Sequence, residues 1–75
     1  MRVEIHYCHV WGYEGYAARL AEEVTTAFPE MEVETVPEYD GQGNLDVFID
    51  HFVLFSSRES GRFLEEGEIV SLIKK

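Results

Sequence analysis

Apolar and polar residues alternate at the start of the chain, and this alternation predicts a β-strand. Val3, Ile5 and Tyr7 are separated by charged or imidazole side chains, which is the two-residue period of a strand with one buried face. Over residues 13–28 the apolar spacing changes to three and four residues, at Tyr13, Ala17, Leu20, Ala21, Val24 and Phe28. This spacing predicts an amphipathic helix. Pro29 ends it, because proline disfavours helical geometry in the residue before it.

The rest of the chain contains three more predicted strands and one more helix. Residues 31–36 alternate again and stop at Pro37. Residues 45–49 and 52–56 are rich in β-forming side chains, and Asp50-His51 between them predicts the turn of a hairpin. Residues 65–74 have glutamates at their start and lysines at their end, which favours a last helix. Ser56, Ser57 and Ser60 are interpreted as loop residues.

The predicted order, βαβββα, indicates an α/β fold of the two-layer α+β type. The first two strands pair in parallel through a right-handed crossover, and the hairpin adds antiparallel strands. We expect a four-stranded mixed sheet with both helices on one face, and the polar side of the first strand on the open face. Phe48 alternates with Val47 and Ile49 and belongs to that open face. An exposed Phe there would form a dimer or partner surface; alternatively the hairpin rings are covered by the last helix and the loops.

Composition narrows the class of protein. The 75 residues, with 45% hydrophobic side chains, predict one folded domain over residues 1–75. The formal net charge is −9, which argues against nucleic acid and anionic membrane as partners. This acidity fits either a salty environment or an ordinary acidic protein. A single cysteine cannot form an internal disulfide, and no apolar run is long enough for a membrane helix. We therefore expect a cytoplasmic protein.

Cys8 is the candidate for chemistry, because it lies between the first predicted strand and the first predicted helix. A helix N-terminus or a charged imidazole favours the nucleophilic thiolate. His9 is the candidate activator, with His6 as an alternative, whereas Glu14 and the net negative charge oppose an anion. The competing interpretation is a lone cysteine that serves as a small buried apolar side chain.

A metal site is the alternative chemistry for this segment. His6, Cys8 and His9 are all metal-ligand residue types, and His51 is a further candidate. One strand and a turn do not easily direct the adjacent Cys8 and His9 at a single ion. We therefore predict no metal ligands in this chain.

Short motifs in the right order resemble the selenoprotein W-like (Rdx) family. The first is Tyr7-Cys8-x-x-Trp11-Gly12-Tyr13, and the helix after it closes in Ala27-Phe28-Pro29. Residues 43–47, 52–56 and 61–63 resemble later segments of the family. The resemblance implies a thioredoxin-like fold and a thiol-redox role. It also implies glutathione or another low-molecular-weight thiol as co-substrate, with no bound cofactor.

The chain departs from the family pattern at one decisive position. By the resemblance, Cys8 takes the place of the attacking cysteine, and Trp11 takes the place of the second, resolving cysteine or selenocysteine. Tryptophan cannot resolve a mixed disulfide, so an outside thiol must do so. Trp11 is interpreted either as a shield or docking edge beside the thiol or as a space-filling side chain, and Gly12 and Tyr13 as flanking residues.

Two functions follow from this departure. The first is a monothiol redox or thiol-binding protein that uses Cys8, with a thiol protein as partner, and is a monomer or a weak homodimer. The alternative is a non-catalytic protein-interaction module on the same scaffold, with a vestigial Cys8. Exposure of Cys8 discriminates between them, because a buried, inert thiol favours the interaction module.

Overall fold

Four strands form one mixed sheet in the computed structural model, which describes residues 1–75. The strands are β1 (Arg2–Cys8), β2 (Glu32–Glu38), β3 (Leu45–Ile49) and β4 (Phe52–Ser56). Their order across the sheet is β2-β1-β3-β4, with β1 and β2 parallel and the other two pairs antiparallel. The parallel first pair and the closing antiparallel hairpin confirm the predicted mixed sheet.

Three helices complete the fold: α1 (Glu14–Ala27), α2 (Ser57–Ser60) and α3 (Glu68–Lys74). The alternation in β1 and the apolar stripe of α1 meet in one hydrophobic core, to which α3 adds Ile69. Because α1 and α3 pack together over the sheet, both long helices cover the same face, as predicted. The core consists of Val3, Ile5, Tyr7, Ala17, Leu20, Val24, Leu45, Val47, Phe55, Leu64 and Ile69.

The hairpin turns at Asp50 and His51, as the sequence predicts. Both residues have positive φ, 48° and 74°, as the tight turns between twisted strands require. The pairing of β3 with β4 shifts between Val47 and Phe48, so Leu54 has no partner on β3. This bulge turns both Leu54 and the buried Phe55 toward the core.

Two predicted boundaries are wrong. Strand β2 does not stop at Pro37 but continues to Glu38; β2 is an edge strand, where a residue without an N–H is tolerated. The last helix begins at Glu68 rather than Glu65, because Gly67 before it has a left-handed φ of 79°.

A short helix, α2, replaces the loop that the sequence predicts after β4. Ser57 starts this helix, and its buried hydroxyl accepts a hydrogen bond from the Leu45 N–H at 2.8 Å. Gly61, with a left-handed φ of 71°, ends it. The segment is therefore anchored to the start of β3 through Ser57, while the other residues of α2 are exposed.

The second sheet face carries no helix. His6 lies on it, and the Phe48 ring packs edge-on against the imidazole at a centroid distance of 4.9 Å. The expectation that the other hairpin rings are covered is correct for Phe55 and wrong for Phe52, which is 74% exposed. None of the helices combines the length and the apolar character that a membrane crossing requires.

Candidate functional site

The candidate nucleophile, Cys8, is the last residue of β1 and is only 1% exposed. It is absent from the contiguous core cluster. By the two-residue alternation of β1, Cys8 belongs to the same sheet face as His6, not to the core-facing side of Tyr7. Its burial is therefore separate from the contiguous core under the helices. The thiol is covered in this structure, which is the property that the sequence could not decide.

The loop that follows Cys8, residues 9–13, is held by three backbone hydrogen bonds. The His9 N–H donates to the Glu38 carbonyl at 2.9 Å, the Gly12 N–H to the His9 carbonyl at 3.0 Å, and the Tyr13 N–H to the Cys8 carbonyl at 3.2 Å. Gly12 has a φ of 78°, a left-handed conformation that glycine adopts without a steric penalty. Gly12 thus shapes the turn, and Tyr13 links the start of α1 back to Cys8.

Trp11 joins this loop to a second one, residues 39–44, between β2 and β3. Its indole Nε1–H donates to the Gly41 carbonyl at 2.9 Å. The flat ring lies against Gly43, where an added Cβ would stand 3.1 Å from two indole atoms. The indole is still 60% exposed. Sequence reasoning considered Trp11 as a shield or a docking edge, but it missed Gly41 and Gly43, because nothing in their spacing relates them to a residue thirty positions earlier.

Neither candidate histidine is directed at the sulfur by its polar contacts. The His9 Nδ1 lies 3.7 Å from a Glu14 carboxylate oxygen, and its ring packs against Tyr39 at 5.0 Å between centroids. The His6 ring lies between two carboxylates, with Nε2 3.0 Å from Glu4 and Nδ1 3.5 Å from Glu38. The role of His9 as thiolate activator remains a prediction without a contact to support it.

The surroundings of the site are anionic rather than cationic. Helix α1 begins at Glu14 with no side-chain cap, and the Tyr13 amide before it is bonded to the Cys8 carbonyl rather than directed at the sulfur. Burial raises the pKa of the nearby Tyr7 phenol, and the negative charge of Glu14 raises it further. Access to the sulfur, rather than its activation, is therefore the property to examine at Cys8.

Three exposed apolar side chains, Val10, Trp11 and Tyr39, surround this end of the sheet. We call them the apolar rim. The two cavities of the molecule lie elsewhere: about 400 Å³ against α1 and α3, and about 230 Å³ on the open sheet face beside His6. No three metal-ligating side chains come close enough together to hold an ion. The geometry at Cys8 therefore offers a covered thiol beside an exposed apolar surface, with neither cavity adjoining it.

Comparison with known proteins places this geometry in context. A protein-family model described as the Rdx family matches residues 2–75. Among curated proteins, the chain is 28% identical over 75 residues to migration and invasion enhancer 1 of Bos taurus, and 27% identical over 75 residues to that of Mus musculus. It is covered completely in both comparisons but spans only 64% of each relative's length.

Two solved structures have the same fold. One is a selenoprotein W-related protein from Vibrio cholerae, with a TM-score of 0.86, 21% identity, and coverage of 97% of this chain and 91% of that one. The other, from Bordetella parapertussis, has a TM-score of 0.87, 24% identity, and coverage of 97% and 92%. These likenesses confirm the predicted thioredoxin-like α+β fold.

Proposed function

Because the chain belongs to the Rdx family, which suggests a thiol redox-related function, we propose that it exchanges thiols through Cys8 as a monothiol protein. The observation that carries the proposal is the position of Cys8. It ends β1 immediately before the loop that leads into α1, where the family motif has its attacking cysteine. The family match supports this reaction class, and the single cysteine limits it to one protein sulfur.

The proposed reaction has two steps. The Cys8 thiolate attacks a disulfide, forms an S–S bond with one of its sulfurs and expels the other as a thiolate. Because Trp11 cannot act as the resolving group, a second thiol, glutathione or another low-molecular-weight thiol, attacks the mixed disulfide and releases Cys8. The second thiol attacks the substrate sulfur of the mixed disulfide, so the products are the other substrate sulfur as a thiol and a new disulfide between the first substrate sulfur and the second thiol; Cys8 is regenerated and supplies no net electrons.

Burial of Cys8 adds a condition to this reaction. A sulfur that is 1% exposed reacts only from an open conformation, so the observed rate is the intrinsic thiolate rate multiplied by the open fraction. Local openings of loops need far less free energy than global unfolding. Each 1.4 kcal/mol of opening free energy lowers the rate about tenfold. The loop over residues 9–13 is the segment whose opening would uncover the sulfur.

A second candidate function is the non-catalytic interaction module. The observation that favours it is the contrast between the covered Cys8 and the exposed Trp11, at 1% and 60%. The apolar rim would then bind a partner protein, and Cys8 would fill space. This candidate predicts that a partner captured by the wild type is also captured by Cys8→Ser but lost with Trp11→Ala.

Alkylation of Cys8 by iodoacetamide decides between the two candidates. We expect native labelling to be slower than labelling of the unfolded chain, and its rate to be insensitive to urea below the unfolding transition, because the opening is local. Incubation with glutathione disulfide should then add one glutathione per chain. Cys8→Ser should abolish this adduct and leave the fold unchanged.

The opposite result is equally clear. If labelling requires global unfolding, the logarithm of the labelling rate rises with urea concentration, and the slope reflects the surface exposed on unfolding. In that case, with no glutathione adduct on the native protein, monothiol exchange is rejected and the interaction module takes its place.

A further inference from the structure

We propose, on the premise that Cys8 exchanges thiols, that Trp11 is a latch that controls access to the sulfur. Trp11 is a positioning residue in this proposal, since it acts through the two loops beside Cys8 and not on the reacting atoms. The side chain that replaces the resolving cysteine would thus regulate when the remaining cysteine reacts. The open Cα of Gly43 and the backbone carbonyl of Gly41 form the other half of the latch.

The two halves meet where the strands end. Cys8 and Glu38 are paired in the parallel register of β1 and β2, and the loops that begin after them are residues 9–13 and 39–44. The His9 N–H bonds to the Glu38 carbonyl at their base. Trp11 joins them further out through its hydrogen bond to Gly41. Separating the loops therefore means breaking the Trp11 contacts, and it frees the loop that directly follows the buried Cys8.

The fit of the indole depends on Gly43. An added Cβ at that position would lie 3.1 Å from indole Cδ2 and Cε3, closer than ordinary van der Waals contact. Gly41 has nearly the same left-handed backbone, with φ of 72° against 70° for Gly43, but a Cβ there would meet nothing within 4 Å. Alanine at the two positions has nearly the same backbone cost, and only alanine at residue 43 forces the Trp11 indole to shift, by a few tenths of an ångström.

The latch is reachable from outside. The indole is 60% exposed and belongs to the apolar rim, with Val10 and Tyr39 beside it. A partner that binds the rim and draws the indole away from the glycines would release the loops at the moment of docking. Docking and exposure of the sulfur would thus be coupled through one side chain.

The test compares Gly43→Ala with its matched control, Gly41→Ala. For each variant, the native alkylation rate of Cys8 by iodoacetamide and the urea unfolding curve are measured. We expect Gly43→Ala to label at least tenfold faster than Gly41→Ala, while the unfolding midpoints of the two variants remain close. Equal labelling rates in the two variants would overturn the latch.

Trp11→Phe is a second, milder variant that decides the matter if Gly43→Ala does not fold. It keeps an aromatic ring but loses the bond to the Gly41 carbonyl, so we expect labelling to accelerate about three- to tenfold, the effect of removing one hydrogen bond. An unchanged rate would count against the latch.

Failure of the latch and failure of the proposed function give different results. If wild-type protein forms the glutathione adduct but the glycine variants label alike, monothiol exchange stands and the latch falls. If the glycine variants differ but no variant forms the adduct, the latch controls access to a sulfur that does not exchange, and the proposed function falls.

Discussion

Replacement of Ser57 by alanine should destabilise the protein more than any other serine substitution. The Ser57 side chain is buried, and its Oγ accepts a hydrogen bond from the Leu45 N–H at 2.8 Å. Leu45 is fully buried at the start of β3, so water cannot replace the missing acceptor. Ser57→Ala leaves a buried backbone N–H without a partner.

The cost of such an unsatisfied group is about 1–3 kcal/mol. In a chain of 75 residues, each kcal/mol lowers the melting temperature by roughly 4–8 °C. Urea unfolding followed by circular dichroism measures the change directly, and the slope with urea should match that of the wild type, because the same surface is exposed.

Two variants make the result interpretable. Ser60→Ala lies in the same short helix but is exposed, and we expect a change within about 0.5 kcal/mol of wild type. Ser57→Thr keeps the hydroxyl and should recover part of the loss. If Ser57→Ala unfolds at the wild-type midpoint, the hydrogen bond to Leu45 does not secure α2 against the sheet, and the reasoning is refuted.

Two further predictions concern the segment that leads into α3. The pKa of Glu68 is lowered to about 2, first by the hydrogen bond from Arg62 and then by that from the Glu65 N–H. The ionised carboxylate therefore stabilises the fold fully above the unfolded-state pKa near 4.5. This stabilisation is lost as the pH falls towards 2. Glu68→Gln should flatten the dependence of stability on pH in that window, and an unchanged acid-unfolding profile would contradict the assignment. Tyr16→Phe removes the hydrogen bond that the Tyr16 hydroxyl donates to the Leu64 carbonyl at 2.6 Å. The free energy of unfolding, measured with urea, should fall by about 0.5–1.5 kcal/mol. An unchanged free energy of unfolding would show that water replaces the bond.

The two edges of the sheet differ in how they resist self-association. Strand β2 carries three glutamates and Pro37, which are typical guards of an exposed edge. Strand β4 has no charged residue and exposes Phe52 and Val53, with only its bulge to interrupt pairing. A net charge of −9 on each chain opposes association. The expectation of a monomer or weak homodimer therefore remains a prediction, with β4 as the less protected edge.

Much of the fold follows from local patterns that need no tertiary context. Alternation in β1 and three- and four-residue spacing in α1 are imposed by backbone geometry, so they are readable in the sequence. The Asp50-His51 turn is likewise set by the strands on either side of it. Even the resemblance to the Rdx family rests on short segments whose order along the chain is visible without coordinates.

The parts that could not be predicted depend on residues distant in the chain. Pro37 is tolerated within β2 because that strand is at an edge, and Ser57 is buried where its hydroxyl accepts a hydrogen bond from the Leu45 N–H. The start of α3 is set by the left-handed backbone of Gly67, which the glutamates around it do not reveal. Local sequence preferences predict none of these features, since each depends on a partner or a backbone conformation that is set by the tertiary structure.

The candidate site divides in the same way. The sequence by itself determined that one cysteine follows the first strand and that tryptophan stands three residues after it. Only the tertiary structure decided that the thiol is covered and that the indole lies against Gly41 and Gly43. The physical reason is the parallel pairing of β1 with β2, which brings two loops thirty residues apart to the same end of the sheet.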